Sequence, residues 1–522
     1  FEKIGFKNAV QVRDFPKDDP EFDPDNIKYS CVRYSPSFIA NAMGPSWSDP
    51  RTGEILNASV YLYHNLVGLV RNWRFVQTAQ ADTDVRRKQL PTDILGDCIS
   101  YVVAHEVGHT FAFMHNMAAS SSIPVDSLRS ASFTNKYGTT YSIMDYARNN
   151  YVAQPGDKEK GVRLTPPDLG IYDYFSVKWL YSPIMSAKSS EEEIPILRQW
   201  ISEKLPDPAY RYGRQQIRTR IDPSSFEEDL GDDPVKASSY GVMNLKYILS
   251  QMNEWIKDDV EGDFRKEIYN EIIGQYIRYI NNVLFNIGGI YVNEHYEGDP
   301  FPSYVPVTKE KQRESLKFLW EQALDCSWID EPALQKILPL HSNLSSVIEN
   351  LIIDYVLKRF PSVAICGDKM EQNPYTQLDY MDDLYYYMFM VPDKKNVLSA
   401  SEKNMQLKFV SYLMNGIKTV KKGSAAGTSG RMLTDERIPL PEGIVAPTYL
   451  YDGPLNHFND PKEVMGFEDT VSVTIPVESM EHHYYSMLRK IERLAKNRMS
   501  AGSDENRTHY RLLVYKISQS LK

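Results

Sequence analysis

The segment Val102-Val103-Ala104-His105-Glu106-Val107-Gly108-His109-Thr110-Phe111-Ala112-Phe113-Met114-His115-Asn116 places three of the chain's ten histidines within eleven residues. Upstream of it, Leu95, Ile99, Val102 and Val103 recur at helical spacing from a start near Pro91-Thr92-Asp93, with Thr92 as the expected N-cap. Residues four apart share one face of an α-helix, so His105 and His109 aim two imidazoles at one point. Glu106, next to His105, reaches a water at that point without ligating. This HExxH arrangement suits a zinc ion with a general base beside it. A catalytic zinc also needs one position left open for water and substrate.

A third protein ligand is therefore expected. His115 lies six residues beyond His109, too far round for a continuing helix, so the helix must stop and turn near residues 111–113 to present it. Asp126 is an alternative oxygen ligand, although His115 already fits by spacing. No glutamate occurs between Glu106 and Glu159 to serve from a following helix. Cys98 shares the face of His105 but is ~10 Å of helical rise away, beyond the same ion. The best set is His105, His109 and His115, holding one Zn2+.

The pattern resembles HExxHxxGxxH of the metzincin zinc peptidases, in which a glycine permits the turn before the third histidine. Ala112 stands where that family has glycine. An alanine at positive φ costs roughly 1–2 kcal/mol, against ~10 kcal/mol or more from zinc binding in structural sites. A second likeness follows: "YSIMDY", Tyr141 to Tyr146, matches the Ser-x-Met-x-Tyr of the Met-turn in the astacin and serralysin branches. The resemblance implies that Met144 forms an apolar floor under the ligands. It also implies that Tyr146 is a switchable zinc ligand or a donor to the reaction's oxyanion. By the same analogy "SFIANAMG" (37–44) is the sheet edge along which substrate lies, with Asn41, Ala42, Met43 and Gly44 nearest to it. "NNYVAQPGD" would line the pocket beyond the scissile bond. "GPSWSDPRTGEIL", "SIMDYARNNYVAQPGD" and "EDLGDDPVKASSYGVMNLKYIL" are similar to segments of a bacterial family of large, multidomain, zinc-dependent metzincin-like proteases. That likeness implies an extracytoplasmic protein, periplasmic, surface-anchored or secreted.

The expected fold is α+β: a metzincin-like catalytic domain over 1–185, with a twisted mixed sheet and the active-site helix, then a mostly α-helical domain over 186–522. Strands are expected in "AVQVRDF", "IKYSCVRYS", "SFIANAMGP" and "ILNASVYLYHN", which are rich in β-branched and aromatic residues. "LTPPDLGIYDYFSVKWLY" reads as a turn and a closing helix. Helical periodicity marks "EIYNEIIGQYIRYINNVLF" and residues 309–325, 344–358, 375–390, 400–419 and 478–498, with "GGIYVNEHY" strand-like between them. Residues 421–443 read as a mobile loop, and the acidic "EEDLGDD" as a solvated turn or helix cap rather than a calcium site. The opening "FEKIGFKNAV" reads as the end of a helix running into a strand, as in a fragment of a longer precursor.

A net charge of −10 argues against a nucleic-acid binder. No apolar run reaches the ~18 residues needed to cross a bilayer. The four cysteines are widely spaced, too few for a disulfide scaffold. The reading is a zinc endopeptidase acting on protein or peptide substrates, with Glu106 as general base and activity falling below about pH 6 as the histidines protonate. The alternative is a catalytically inactive binding protein on the same scaffold, for which Ala112 is the best support.

Overall fold

The structure, a computed structural model, describes residues 1–216, 220–336, 343–392, 397–421, 437–450 and 480–522. Five short strands open the chain: β1 (Val32–Ser35), β2 (Ala42–Met43), β3 (Ser46–Ser48), β4 (Ile55–Ala58) and β5 (Val60–Tyr63). β5 lies between β1 and β2. It runs parallel to β1, with Val60 opposite Val32, and antiparallel to β2, with Leu62 opposite Ala42 and Tyr61 opposite Met43. β3 and β4 form a separate hairpin. The result is a small mixed sheet with β2 on its edge.

Two helices cover this sheet, α1 (Leu66–Thr78) and α2 (Thr92–Thr110). Ala42 of β2, Leu66, Leu69, Val70 and Trp73 of α1 and Val102 of α2 bury one another in a single apolar cluster. Met117 and Tyr146 complete that cluster from the loops beyond α2. Thr92 is the first helical residue rather than the cap, a place taken by Pro91. Then come α3 (Ala131–Tyr137), α4 (Ile171–Tyr181), which is the expected closing helix, and α5 (Ser190–Ser202).

The front half departs from its sequence pattern in three places. "AVQVRDF" forms no strand: Val12 is 97% exposed, so its alternation has no layer to bury against. "ILNASVYLYHN" is two strands, broken where the Ser59 amide turns to the Pro45 carbonyl. Residues 66–78, for which no helix was expected, form α1.

The rear is mostly helical. α6 (Pro234–Trp255) and α7 (Asp263–Leu284) pack together, followed by the hairpin β6 (Ile290–Val292) and β7 (Tyr304–Pro306) and by α8 (Lys309–Leu324). Helices Leu344–Leu357, Ala400–Lys421 and Glu481–Arg498 fall on expected segments. The expected helix over 375–390 is Gln377–Tyr385, continued as a π-turn over Tyr386–Met390. Most of the expected loop over 421–443 lies outside the described residues. From Ile268 to Leu284 every residue of α7 except Asn270 is buried, as in a helix surrounded on all sides.

Polar contacts fasten α7 to the front half. Asn72 of α1 donates to Glu267 (2.9 Å) and Glu271 (3.1 Å), and Arg71 pairs with Glu267 at 2.6 Å. Gln77 of α1 and Gln275 of α7 both donate to Glu228 at 2.6 Å. Front and rear therefore share one interior. All four cysteines are free thiols. Among the described residues no helix is long and apolar enough to cross a membrane.

Candidate metal centre

α2 ends where the metal motif needs it to end. The amides of Phe111 and Phe113 both return to the Gly108 carbonyl, and that of Ala112 to His109, closing the last turn. Ala112 then takes φ 62°, the left-handed conformation that the family's glycine supplies. The chain reverses and brings His115 back toward His105 and His109.

The His115 Nε2 lies 3.3 Å from the Nε2 of His105 and 3.1 Å from that of His109. One ligand atom from each ring lies within 4.8 Å of the others. Each Nδ1 is turned outward onto an oxygen: His105 to the Ile143 carbonyl at 2.6 Å, His109 to the Phe113 carbonyl at 3.0 Å, and His115 to Gln215 Oε1 at 3.0 Å. Carbonyl oxygens only accept, so each Nδ1 carries the proton and each Nε2 of a neutral ring presents a lone pair. Three lone pairs facing one another at these distances repel unless a cation lies between them. Two nitrogens bound ~2.0–2.1 Å from one tetrahedral zinc stand about 3.3 Å apart, the spacing His115 has from each of the other two rings. Burial holds His109 down to about 4, so its lone pair is available well below neutral pH.

Glu106 is fully buried, and neither carboxylate oxygen has a hydrogen-bond partner among the described residues. Burial raises it to about 8, with the charge of Arg148 and the nearby Gly44 amide pulling the other way. An unpaired carboxylate beside three imidazoles is costly to bury, unless a polar group such as a water or a substrate is met there.

The other residues singled out by the sequence gather around this point. Met144 packs against α2 at Gly108, where an added Cβ would lie 2.3 Å from its sulfur. Tyr146 is buried with its ring centroid 5.4 Å from that of His105 and 4.8 Å from that of His115. Arg148 stacks 4.3 Å from the Tyr146 ring and 4.0 Å from that of Trp73. Gly44, just past β2, sits so close to α2 that a Cβ there would be 2.1 Å from the Glu106 carbonyl oxygen. Asn41, Ala42 and Met43 thus lead up to Glu106. Of the segment "NNYVAQPGD", Asn149 lines a cavity of about 180 Å3 with Arg148, Trp73, Cys98 and Tyr101. Asn150, Tyr151, Val152 and Ala153 are interior.

Several supporting groups carry no short-range sequence signal. Asp173 of α4 accepts from Ser142 Oγ (2.7 Å), the Ile143 amide (3.0 Å) and the Gly170 amide (2.6 Å), pinning the Met144 turn. Burial pushes it up to about 6 against the pull of those donors. The acidic stretch read as a solvated turn or helix cap is interior from Glu227 to Gly231. Glu227 pairs with Arg220 at 2.7 Å, and Glu228 receives Gln77 and Gln275. Asp229 accepts from Ser120 Oγ at 3.3 Å, while the Ser120 amide donates to Asp145 at 2.7 Å. The end of the stretch fits the expectation: Asp232 is exposed, and Asp233 caps α6 through the Lys236 amide.

A family model described as Met-zincin matches residues 87–396, more than half of the chain. No curated protein and no solved structure matches it.

Proposed function

This chain belongs to the Met-zincin family, and from that premise we propose that it is a zinc-dependent endopeptidase. The observation that carries the proposal is the convergence of three Nε2 atoms whose rings are all locked with Nδ1 outward. Zinc held by His105, His109 and His115 would supply Lewis-acid polarisation of a carbonyl and a bound water of pKa about 7. Glu106 takes the proton of the attacking water and returns it to the leaving amine. Burial raises its proton affinity to about 8, close to the range in which one group can both take and return a proton. Tyr146 places a phenol under the rings, as a donor to the developing oxyanion. Met144 forms the apolar floor.

An extended peptide fits along the β2 edge by strand addition, with Asn41 to Gly44 leading it toward Glu106. The alternative of an inactive binding protein drew its support from Ala112. That residue makes the turn regardless, and the retained Glu106 favours catalysis. Elemental analysis should find one zinc per chain, and denatured casein should be cleaved until a chelator is added. Glu106→Ala should keep the zinc and lose turnover by a factor of at least ~100. A zinc-loaded wild type inert toward casein and other unfolded proteins would favour the binding protein.

A further inference from the structure

The third imidazole is held by a different kind of group from the other two. His105 and His109 rest on main-chain carbonyls, which no substitution at those positions removes. His115 rests on a side chain one hundred residues downstream, Gln215 Oε1 at 3.0 Å. We propose that Gln215 is a positioning residue of the metal centre, fixing the tautomer and ring orientation of His115 and through them the zinc affinity. The inference rests on zinc being the occupant of the three histidines.

The segment that presents Gln215 is anchored on both sides. On one, Asn116 accepts from the Gly213 amide at 3.0 Å and donates to the Arg211 carbonyl at 2.9 Å, while the Met117 amide meets the Gly213 carbonyl at 2.7 Å. Residues 211–213 are thereby laced to the residues that follow the third histidine. On the other, Gln216 Oε1 accepts from the amides of Ile221 (2.7 Å) and Asp222 (2.9 Å). Its Nε2 donates to the Asp222 carbonyl at 2.7 Å. Gln215 sits between these two clamps, so its amide reaches His115 from a fixed backbone.

A neutral imidazole has two tautomers of similar energy, and only the Nδ1–H form leaves Nε2 free for a metal. His115 is 6% exposed, so bulk water does not readily replace a missing acceptor. Without Gln215 the ring loses its bias toward the ligating form and its angular restraint. Outer-shell partners of this kind typically change metal affinity about 10–100-fold. An amide accepts without adding charge, whereas a carboxylate in its place would also make the ring more basic.

The test measures zinc dissociation constants by competition with a chromophoric chelator for the full chain and for Gln215→Leu and Gln215→Glu, together with the melting point of each zinc-free protein. The expected result is about 10–100-fold weaker zinc for Gln215→Leu, affinity at least equal to wild type for Gln215→Glu, and the same zinc-free melting point for all three. Gln215→Leu binding zinc as tightly as wild type would overturn the inference. So would Gln215→Glu binding as weakly as Gln215→Leu, because an acceptor role is kept by glutamate and a merely structural amide is not. A wild type that holds no zinc removes the zinc proposal and this inference with it; a tight wild type with indifferent variants removes this inference alone.

Discussion

A single backbone angle shows what the centre asks of individual residues. Ala112 holds φ 62° on an exposed turn, where its methyl group has little packing to lose. Ala112→Gly should remove the left-handed penalty of roughly 1–2 kcal/mol and return part of it as unfolded-chain entropy, about 0.5–1 kcal/mol. The net expectation is a gain of up to about 1.5 kcal/mol in zinc-free stability. Urea denaturation at unchanged m-value would read it, and a loss would mean that the methyl group packs better than its exposure suggests. Residues of this kind are legible in sequence because a metal fixes their spacing: His105, His109 and His115 are set by helix geometry and one turn. Gln215 was not legible. A lone glutamine a hundred residues away has no spacing rule to betray it, and only the chain's return past Asn116 brings it to the ring.

Among elements, periodicity succeeded where one face is buried and failed where burial comes from elsewhere in the chain. α7 and the helix Leu344–Leu357 were readable because long apolar stripes have no other use. "AVQVRDF" alternates just as a strand does, yet nothing covers it. α1 lies where "VYLYHN" runs into "LVGLVRNWRF", and its strand-like start and Gly68 masked the change of period. The closing helix α4 was legible, but not its task, which is to hold the Met144 turn through Asp173. Asp173→Ala would leave the Ser142 hydroxyl and the Ile143 and Gly170 amides without their acceptor in a buried site. Each such loss costs about 1–3 kcal/mol, so a total of at least about 3 kcal/mol is expected, with zinc affinity falling as the Ile143 carbonyl loosens its hold on His105. Equilibrium denaturation of zinc-free protein measures the first effect and chelator competition the second. Unchanged zinc affinity in a destabilised variant would separate the turn from the metal centre.

For the whole molecule, the interior shared by front and rear carries carboxyl groups whose titration sets how stability follows pH. Glu271 on α7 is fully buried against Thr448 and Asn72, with Glu267 close by, and burial pushes it up to about 7. Asp145, behind the Met144 turn, is likewise raised by burial, and its neighbour Asp229 is raised by burial and by the charge of Asp145. A carboxyl raised above its unfolded value stabilises fully below that value, and the contribution is lost as pH rises through the folded value. For Glu271 the window runs from 4.5 to about 7, and at ~1.4 kcal/mol per pH unit it amounts to about 3 kcal/mol. Glu227, held down beside Arg220, acts oppositely, and its contribution disappears only in strong acid. His109 and His509, held down to about 4 by burial, also act oppositely as pH falls from 6.5, but the raised carboxyls outnumber them. The zinc-free protein should therefore melt highest near pH 5 and progressively lower toward pH 8. Zinc binding works against this slope, since neutral imidazoles bind better as pH rises, so saturating zinc should flatten or reverse it. Calorimetric melts between pH 5 and 8, with and without zinc, test both statements, and Glu271→Gln assigns the cause. The variant should lose much of the zinc-free slope while keeping the response to zinc. Parallel curves for wild type and Glu271→Gln would show that this carboxyl keeps its ordinary proton affinity, and that α7 meets the front half in a wetter interior than its burial implies.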